Sequence, residues 1–216
     1  MRRFVMLTVL WGLAGVAGCV QHAPNSKAVV MLMDTSGTYR EELDKARAII
    51  NYLLGTLEAG DTFAVAKIDS GSFSEKDIIA RVTFRDRPSV TTAQKREFQK
   101  KVSGFVSRAP ESRHTDISGA LLQATEVLKE SGARQRYVFI FSDLEEDLEK
   151  GHVRNFPLPL NGVDVVALNV TKLRRDNVDP RKYTRRLEAW EKRVVAGGGR
   201  WRVVNDFDNL GKLLSH

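Results

Sequence analysis

The feature that most constrains this chain is Ala28-Val29-Val30-Met31-Leu32-Met33, an apolar run without interruption that stops at Asp34. A strand with one wet face alternates, whereas an unbroken run of this length suits a strand buried on both faces of a parallel sheet. Parallel neighbours are joined by crossovers, so helices should follow. Leu43, Ala46, Ile50, Leu53 and Leu57 recur at three- and four-residue steps, on one face of a helix that ends near Gly60. Residues 63–68 and 78–84 read as strands joined by Ser70-Gly71-Ser72-Phe73-Ser74, and the alternation in the second suits an edge strand with an antiparallel partner. Two helices show stripes at Phe98, Val102, Phe105 and at Ile117, Leu121, Ala124, Leu128; strands at 137–141 and 163–170 follow. A last helix runs from Pro180 past Trp190 to a stop at Gly197-Gly198-Gly199, then come a strand at 201–204 and a helix at 207–214. This alternation predicts an α/β, Rossmann-like sandwich: a central, mostly parallel sheet with one antiparallel edge strand and helices on both faces.

With 216 residues, 28% charged and 42% hydrophobic, the composition is that of an ordinary globular protein. The amino terminus stands apart. Met1-Arg2-Arg3 is followed by an apolar stretch over 4–16, too short to span a bilayer and typical of a signal peptide. Val16-Ala17-Gly18-Cys19 then resembles the lipobox of bacterial lipoproteins, which implies acylation of Cys19 and cleavage before it. A single cysteine excludes a disulfide framework and a thiolate zinc cluster. The expected organisation is a removed leader over 1–18, a lipidated Cys19 and tether over 19–27, and one domain over 28–216. The resemblance implies a lipid-anchored protein of the bacterial cell envelope, and Val20 after the cysteine points to the outer membrane, facing the periplasm.

In sheets of this kind ligands collect at the carboxyl ends of the strands. Asp34-Thr35-Ser36-Gly37-Thr38 follows the first strand, Thr115-Asp116 opens a helix, and Ser142-Asp143 follows a later strand. Carboxylates and hydroxyls without His or Cys are hard oxygen donors, suited to Mg2+ or Mn2+ with water completing an octahedron. Each piece also has a simpler reading, in which Ser36 or Thr38 caps a helix starting near Tyr39 and Thr115 caps its own helix.

Together these segments resemble the von Willebrand factor A domain, whose metal-ion-dependent adhesion site has an Asp-x-Ser-x-Ser loop, a Thr from a second loop and an Asp from a third. Residue by residue, the resemblance implies that Ser36 and Thr38 bind Mg2+ through their hydroxyls, that Thr115 contributes directly or through water, and that Asp34 and Asp143 hold coordinating waters. It also implies an open position for an Asp or Glu carboxylate of a protein partner, and hence protein–protein interaction rather than catalysis. Two positions depart from the family pattern. Thr38 stands where Ser is usual, and Leu144, followed by Glu145-Glu146-Asp147, stands where Gly is common. The extra acids leave open whether the metal is held more tightly or an acidic partner is repelled. Two alternatives are a metal-free scaffold and a haloacid-dehalogenase-type phosphatase; the latter needs a second aspartate where this chain has Ser36.

His22, His114, His152 and His216 share no metal-ligand spacing, and Tyr183, Leu187, Trp190 and Val194 form a core stripe. Residues 171–202 contain eleven bases and four acids. On the helical wheel Arg181, Lys192 and Arg185 fall about 160°, 180° and 200° from Tyr183, a stripe opposite the core that anionic lipid headgroups or an acidic partner would fit. An envelope address makes nucleic acid an unsuitable partner for it.

Overall fold

In the computed structural model, which describes residues 25–37, 39, 42–170, 179–205, 210 and 214, the apolar run is β1 (Lys27–Asp34), with every residue after Lys27 buried. The leader, Cys19 and Thr38 lie outside the described residues. β1 is central. It pairs in parallel with β2 (Thr62–Ile68) on one side and with β4 (Gln135–Phe141) on the other. β3 (Ile78–Thr83) closes one edge, antiparallel to β2, with a bulge at Val65/Ala66, and β5 (Val163–Leu168) and β6 (Arg200–Val204) extend the parallel sheet to the other edge. The order β3-β2-β1-β4-β5-β6 matches the expected sheet with one antiparallel edge strand.

Alternate residues of β1 feed two cores. Val29, Met31 and Met33 pack beneath α1 (Leu43–Thr56) and α2 (Pro88–Val106), where Ile50, Leu53 and Phe98 are buried and Phe63 stacks on Phe98 at 4.8 Å. Ala28, Val30 and Leu32 face α3 (Ile117–Ser131) and α4 (Pro180–Ala196), which bring Leu121, Ala124, Trp190 and Val194. Each large aliphatic side chain so buried contributes about 1.5–3 kcal/mol, and this two-sided burial is why β1 carries no polar residue between Lys27 and Asp34. Leu210 and Leu214 are buried against the first of these cores.

Several boundaries move, each for a local reason. Ser26 is buried and its carbonyl accepts the Gln135 N–H at 3.4 Å, while Lys27 opens β1, so the last residues assigned to the tether belong to the domain. α1 starts at Leu43 rather than near Tyr39, and Glu42 N–H bonds Tyr39 O at 2.9 Å just ahead of it. At its far end Leu57 is already extended, though fully packed. β5 stops at Leu168 instead of reaching 170, since Asn169 takes a left-handed φ of 51° that no strand continues through.

Candidate metal centre

β1 and β4 are neighbours in space, but the chain leaves β1 toward one edge and leaves β4 toward the other. That divergence opens a crevice beyond their carboxyl ends. Asp34 ends β1 there, and Ser142 and Asp143 follow β4. Ser142 Oγ donates to Asp34 Oδ2 at 2.7 Å, locking the two strand ends together. The other carboxylate oxygen accepts the Ser36 backbone N–H at 2.9 Å, and the Ser36 hydroxyl also bonds Asp34. Every one of these donors is neutral. Burial pushes the Asp34 carboxyl above its ordinary range, and the hydrogen bonds from Ser36 and Ser142 only partly oppose it.

Two straps bring in the remaining loops. Ser112 N–H donates to Thr35 O at 3.1 Å, tying the α2–α3 connection to the loop after β1. Thr115 and Asp147 exchange backbone hydrogen bonds at 2.8 and 3.0 Å, tying the same connection to the loop after β4. Thr115 is thereby held buried beside that loop, and among the described residues its hydroxyl has no protein partner. Asp143 is buried as well, its Oδ1 accepting the Glu145 N–H at 2.8 Å. The structure thus gathers Asp34, Ser36, Thr115 and Asp143 at one end of the sheet.

The capping readings fail for Ser36 and Thr115. Glu42 occupies the cap position of α1 and makes no side-chain capping bond, so Ser36 does not cap it, and Thr38 lies outside the described residues. Asp116, not Thr115, caps α3, through Gly119 N–H at 2.8 Å, and Arg154 pairs with the same carboxylate at 2.7 Å. The acids after Leu144 are also occupied locally. Glu146 accepts from Ser118 N–H at 2.7 Å and from Arg193 at 3.2 Å, while Asp147 meets His114 Nδ1 at 3.0 Å.

Three further residues shape the site. Asp69, just past the end of β2, accepts the Ser112 hydroxyl at 2.7 Å, so it steadies the first strap. Burial pushes its carboxyl up, but Lys67 and Ser112 outweigh that and hold it below its usual range. The rule that picked out Asp34, a carboxylate directly after a buried strand, would have found Asp69 too. Glu111 had no such signal; its carboxylate oxygen lies too close to where a Cβ at Gly37 would stand, so a side chain there would require the end of Glu111 to swing aside.

Leu144 resolves one departure from the family pattern. It adopts a φ of 64°, the left-handed conformation that glycine takes most easily, yet its side chain is buried. The carbonyl accepts Trp190 Nε1–H at 2.9 Å and the amide donates to Ser142 Oγ at 3.0 Å. Leu144→Gly is expected to destabilise the protein by about 1–3 kcal/mol, because losing a buried leucine (about 2–5 kcal/mol) exceeds the strain relieved (about 1–2 kcal/mol). Urea unfolding measures this directly, and a glycine variant more stable than the parent would show that backbone strain dominates.

The von Willebrand factor type A domain family model matches residues 29–146, which include Asp34, Ser36, Thr115 and Asp143. The chain belongs to this family. No curated protein matches it. Among solved structures, a von Willebrand factor type A protein from Catenulispora acidiphila superposes with a TM-score of 0.54 at 14% identity, covering 88% of this chain and 41% of the other. The pilus adhesin SpaC from Lactobacillus rhamnosus also gives 0.54, at 12% identity over 88% of this chain and 29% of the adhesin. An aerotolerance-related membrane protein from Bacteroides fragilis gives 0.47 at 15% identity, over 87% and 96%. The chain spans less than half the length of the first two, and identities this low establish a shared fold.

The donor set is compatible with a hard divalent cation. All its atoms are oxygens, two residues are buried carboxylates, and among the described residues Asp34 has no cation beside it. Among the described residues no group of three or more His, Cys, Asp or Glu is arranged to hold a metal, so a cation here would depend on hydroxyls and water.

Proposed function

We propose that this protein is a lipid-anchored module of the bacterial cell envelope whose type A domain binds Mg2+ and uses it to grip a protein partner. The observation that carries this reading is Asp34, a buried carboxylate that among the described residues is satisfied by neutral donors alone, which a cation in the crevice would compensate. Ser36, Thr115 and Thr38 would supply hydroxyls, with Asp34 and Asp143 ordering water around the ion, and Mn2+ would serve in the same geometry. The cation would offer its remaining position to an Asp or Glu of the partner. Two exposed apolar side chains suit a contact rim there: Phe73, 58% exposed, and Val153, 73% exposed. They sit on loops that meet where Arg154 Nη2 donates to Ser72 O at 3.2 Å. A pilus adhesin shares the fold, which accords with an interaction role.

The same reading makes the protein non-enzymatic, since Ser36 cannot shuttle a proton as a second aspartate would. Anchoring through Cys19 would place it on the outer membrane, facing the periplasm. Among the described residues no helix is long and apolar enough to cross a membrane. Calorimetric titration of the full chain in detergent with Mg2+ and Mn2+ tests the site. One saturable event is expected, lost in Asp143→Ala and weakened in Thr115→Val, with circular dichroism unchanged. Undiminished binding in Asp143→Ala overturns the assignment. Chelator-sensitive capture of a partner from solubilised envelope, lost in the same variant, tests the grip.

A further inference from the structure

At the opposite end of the sheet, where β4, β5 and β6 begin, the surface opens into a cleft of about 320 Å3 lined by Arg134, Arg136, Arg200 and Arg202, with Tyr137 and Asp164 at its base. We propose that this cleft binds a phosphate group. Four guanidinium groups face a single carboxylate, and that carboxylate is already committed. Asp164 is buried and takes two hydrogen bonds from Arg200, one from Nε at 2.7 Å and one from Nη2. It therefore fixes Arg200 in place and leaves the cleft with a net excess of three positive charges. Arg134 and Arg202 are exposed, and among the described residues neither pairs with an acid. Arg136 is half-buried. One of its Nη atoms donates to Asn161 O at 3.0 Å, but its Nε–H is buried and, among the described residues, has no acceptor.

Like charges converge in this way at a cost unless an anion joins them, and planar forks of N–H donors match the oxygens of a phosphate. Arg200 lies opposite Asp164, itself opposite Tyr137, and Arg202 lies opposite Val166, so these side chains share one face of the sheet, while Arg134 and Arg136 line the cleft from the start of β4. The cleft also adjoins the point where the chain enters the domain, since Gln135, one of its lining residues, donates its N–H to Ser26 O. If Cys19 is the lipid anchor proposed above, this end of the sheet lies against the membrane, and the phosphate of an anionic lipid headgroup is as available as free phosphate. Only that choice of source rests on the anchoring reading. The anion site does not, nor does it depend on Mg2+ at the far end of the sheet.

The test is titration of the full chain, reconstituted in phosphatidylcholine vesicles, with inorganic phosphate. Saturable one-to-one binding is expected, weakened at least about tenfold by Arg136→Gln/Arg202→Gln, in line with the loss of one or more charge-assisted hydrogen bonds. Arg134→Gln, at an exposed side chain, gives a second variant whose folding is not in question, and it too should weaken binding. Arg181→Gln/Arg185→Gln on α4 should leave binding unchanged. Repeating the titration in vesicles containing phosphatidylglycerol separates the sources: a lower apparent phosphate affinity means that the headgroup occupies the cleft, and an unchanged one means that the ligand is soluble. Either result supports a phosphate site. No binding by the parent, binding by both cleft variants equal to the parent's, or an equal loss in the α4 variant would overturn it, the last by revealing diffuse attraction to a basic surface.

Discussion

Asp34→Asn is expected to raise the melting temperature of the chelator-treated protein at pH 7 and to abolish the further rise that Mg2+ gives the parent. Burial disfavours the charged form of Asp34, and its folded pKa is raised above the unfolded value of 3.8. The folded state therefore binds this proton more readily than the unfolded state. The penalty on stability is fully present above the folded pKa, shrinks as pH falls through it, and is gone below 3.8. The advantage of the asparagine variant should accordingly be largest near neutrality and disappear as the pH approaches 4. Asparagine can keep the bond from Ser36 N–H with its oxygen and donate to Ser142 Oγ with its amide, which leaves the Ser142 hydroxyl proton to turn to another acceptor at a cost smaller than that of the buried charge. Differential melting of parent and variant across pH 4–7, with and without Mg2+, measures all three effects. A variant that melts below the parent at pH 7 in chelator, or that still responds to Mg2+, contradicts the account of Asp34 as a buried, uncompensated carboxylate.

Trp190→Ala should cost about 3–5 kcal/mol, the largest effect of any single truncation considered for this molecule. The indole is 4% exposed, packed between α4 and the sheet, with the Arg193 guanidinium 4.7 Å above its ring. It does more than fill space, because its Nε1–H holds the carbonyl of Leu144 in the left-handed turn that follows Asp143. Removing it leaves a cavity and an unpaired carbonyl together. Trp190→Phe separates the two, keeping most of the volume while losing the bond, at about 1–3 kcal/mol. Urea midpoints at constant slope give both values, and a loss below about 1 kcal/mol for the alanine variant would mean that the site relaxes around the gap.

The sheet was legible because its signals are local. The unbroken run before Asp34 can only be a strand wet on neither face, and the alternation over 78–84 marks a strand with one dry side. The stripe Tyr183, Leu187, Trp190, Val194 likewise found the buried face of α4. What the chain hid was set by partners distant in sequence. Tyr39, expected as the first residue of a helix, is instead drawn into the core, and its hydroxyl donates to Asn169 O. Asp116 rather than Thr115 became the cap because Arg154, from a loop after β4, reaches the same carboxylate. The placement of the candidate residues was legible to the same degree: strand ends put Asp34 and Asp143 at one end of the sheet, whereas Ser112 ties in the α2–α3 connection through contacts that no spacing encodes.

The arginines of β6 have a consequence that does not depend on any ligand. Among the described residues the six-stranded open sheet ends in two strands, β3 and β6, that each pair on one side alone, and such an edge is a template on which another chain could add a strand. On β6, Arg200 and Arg202 flank Trp201, and on β3 Arg81 reaches across to Glu130 on α3. A strand from another molecule added at β3 would meet that ion pair, one added at β6 would meet the positive charge of Arg202, and two β6 edges brought together would set arginines against arginines. Many copies crowded on one surface would then be kept from zipping edge to edge into fibrillar stacks, a protection that Arg200→Val/Arg202→Val would remove.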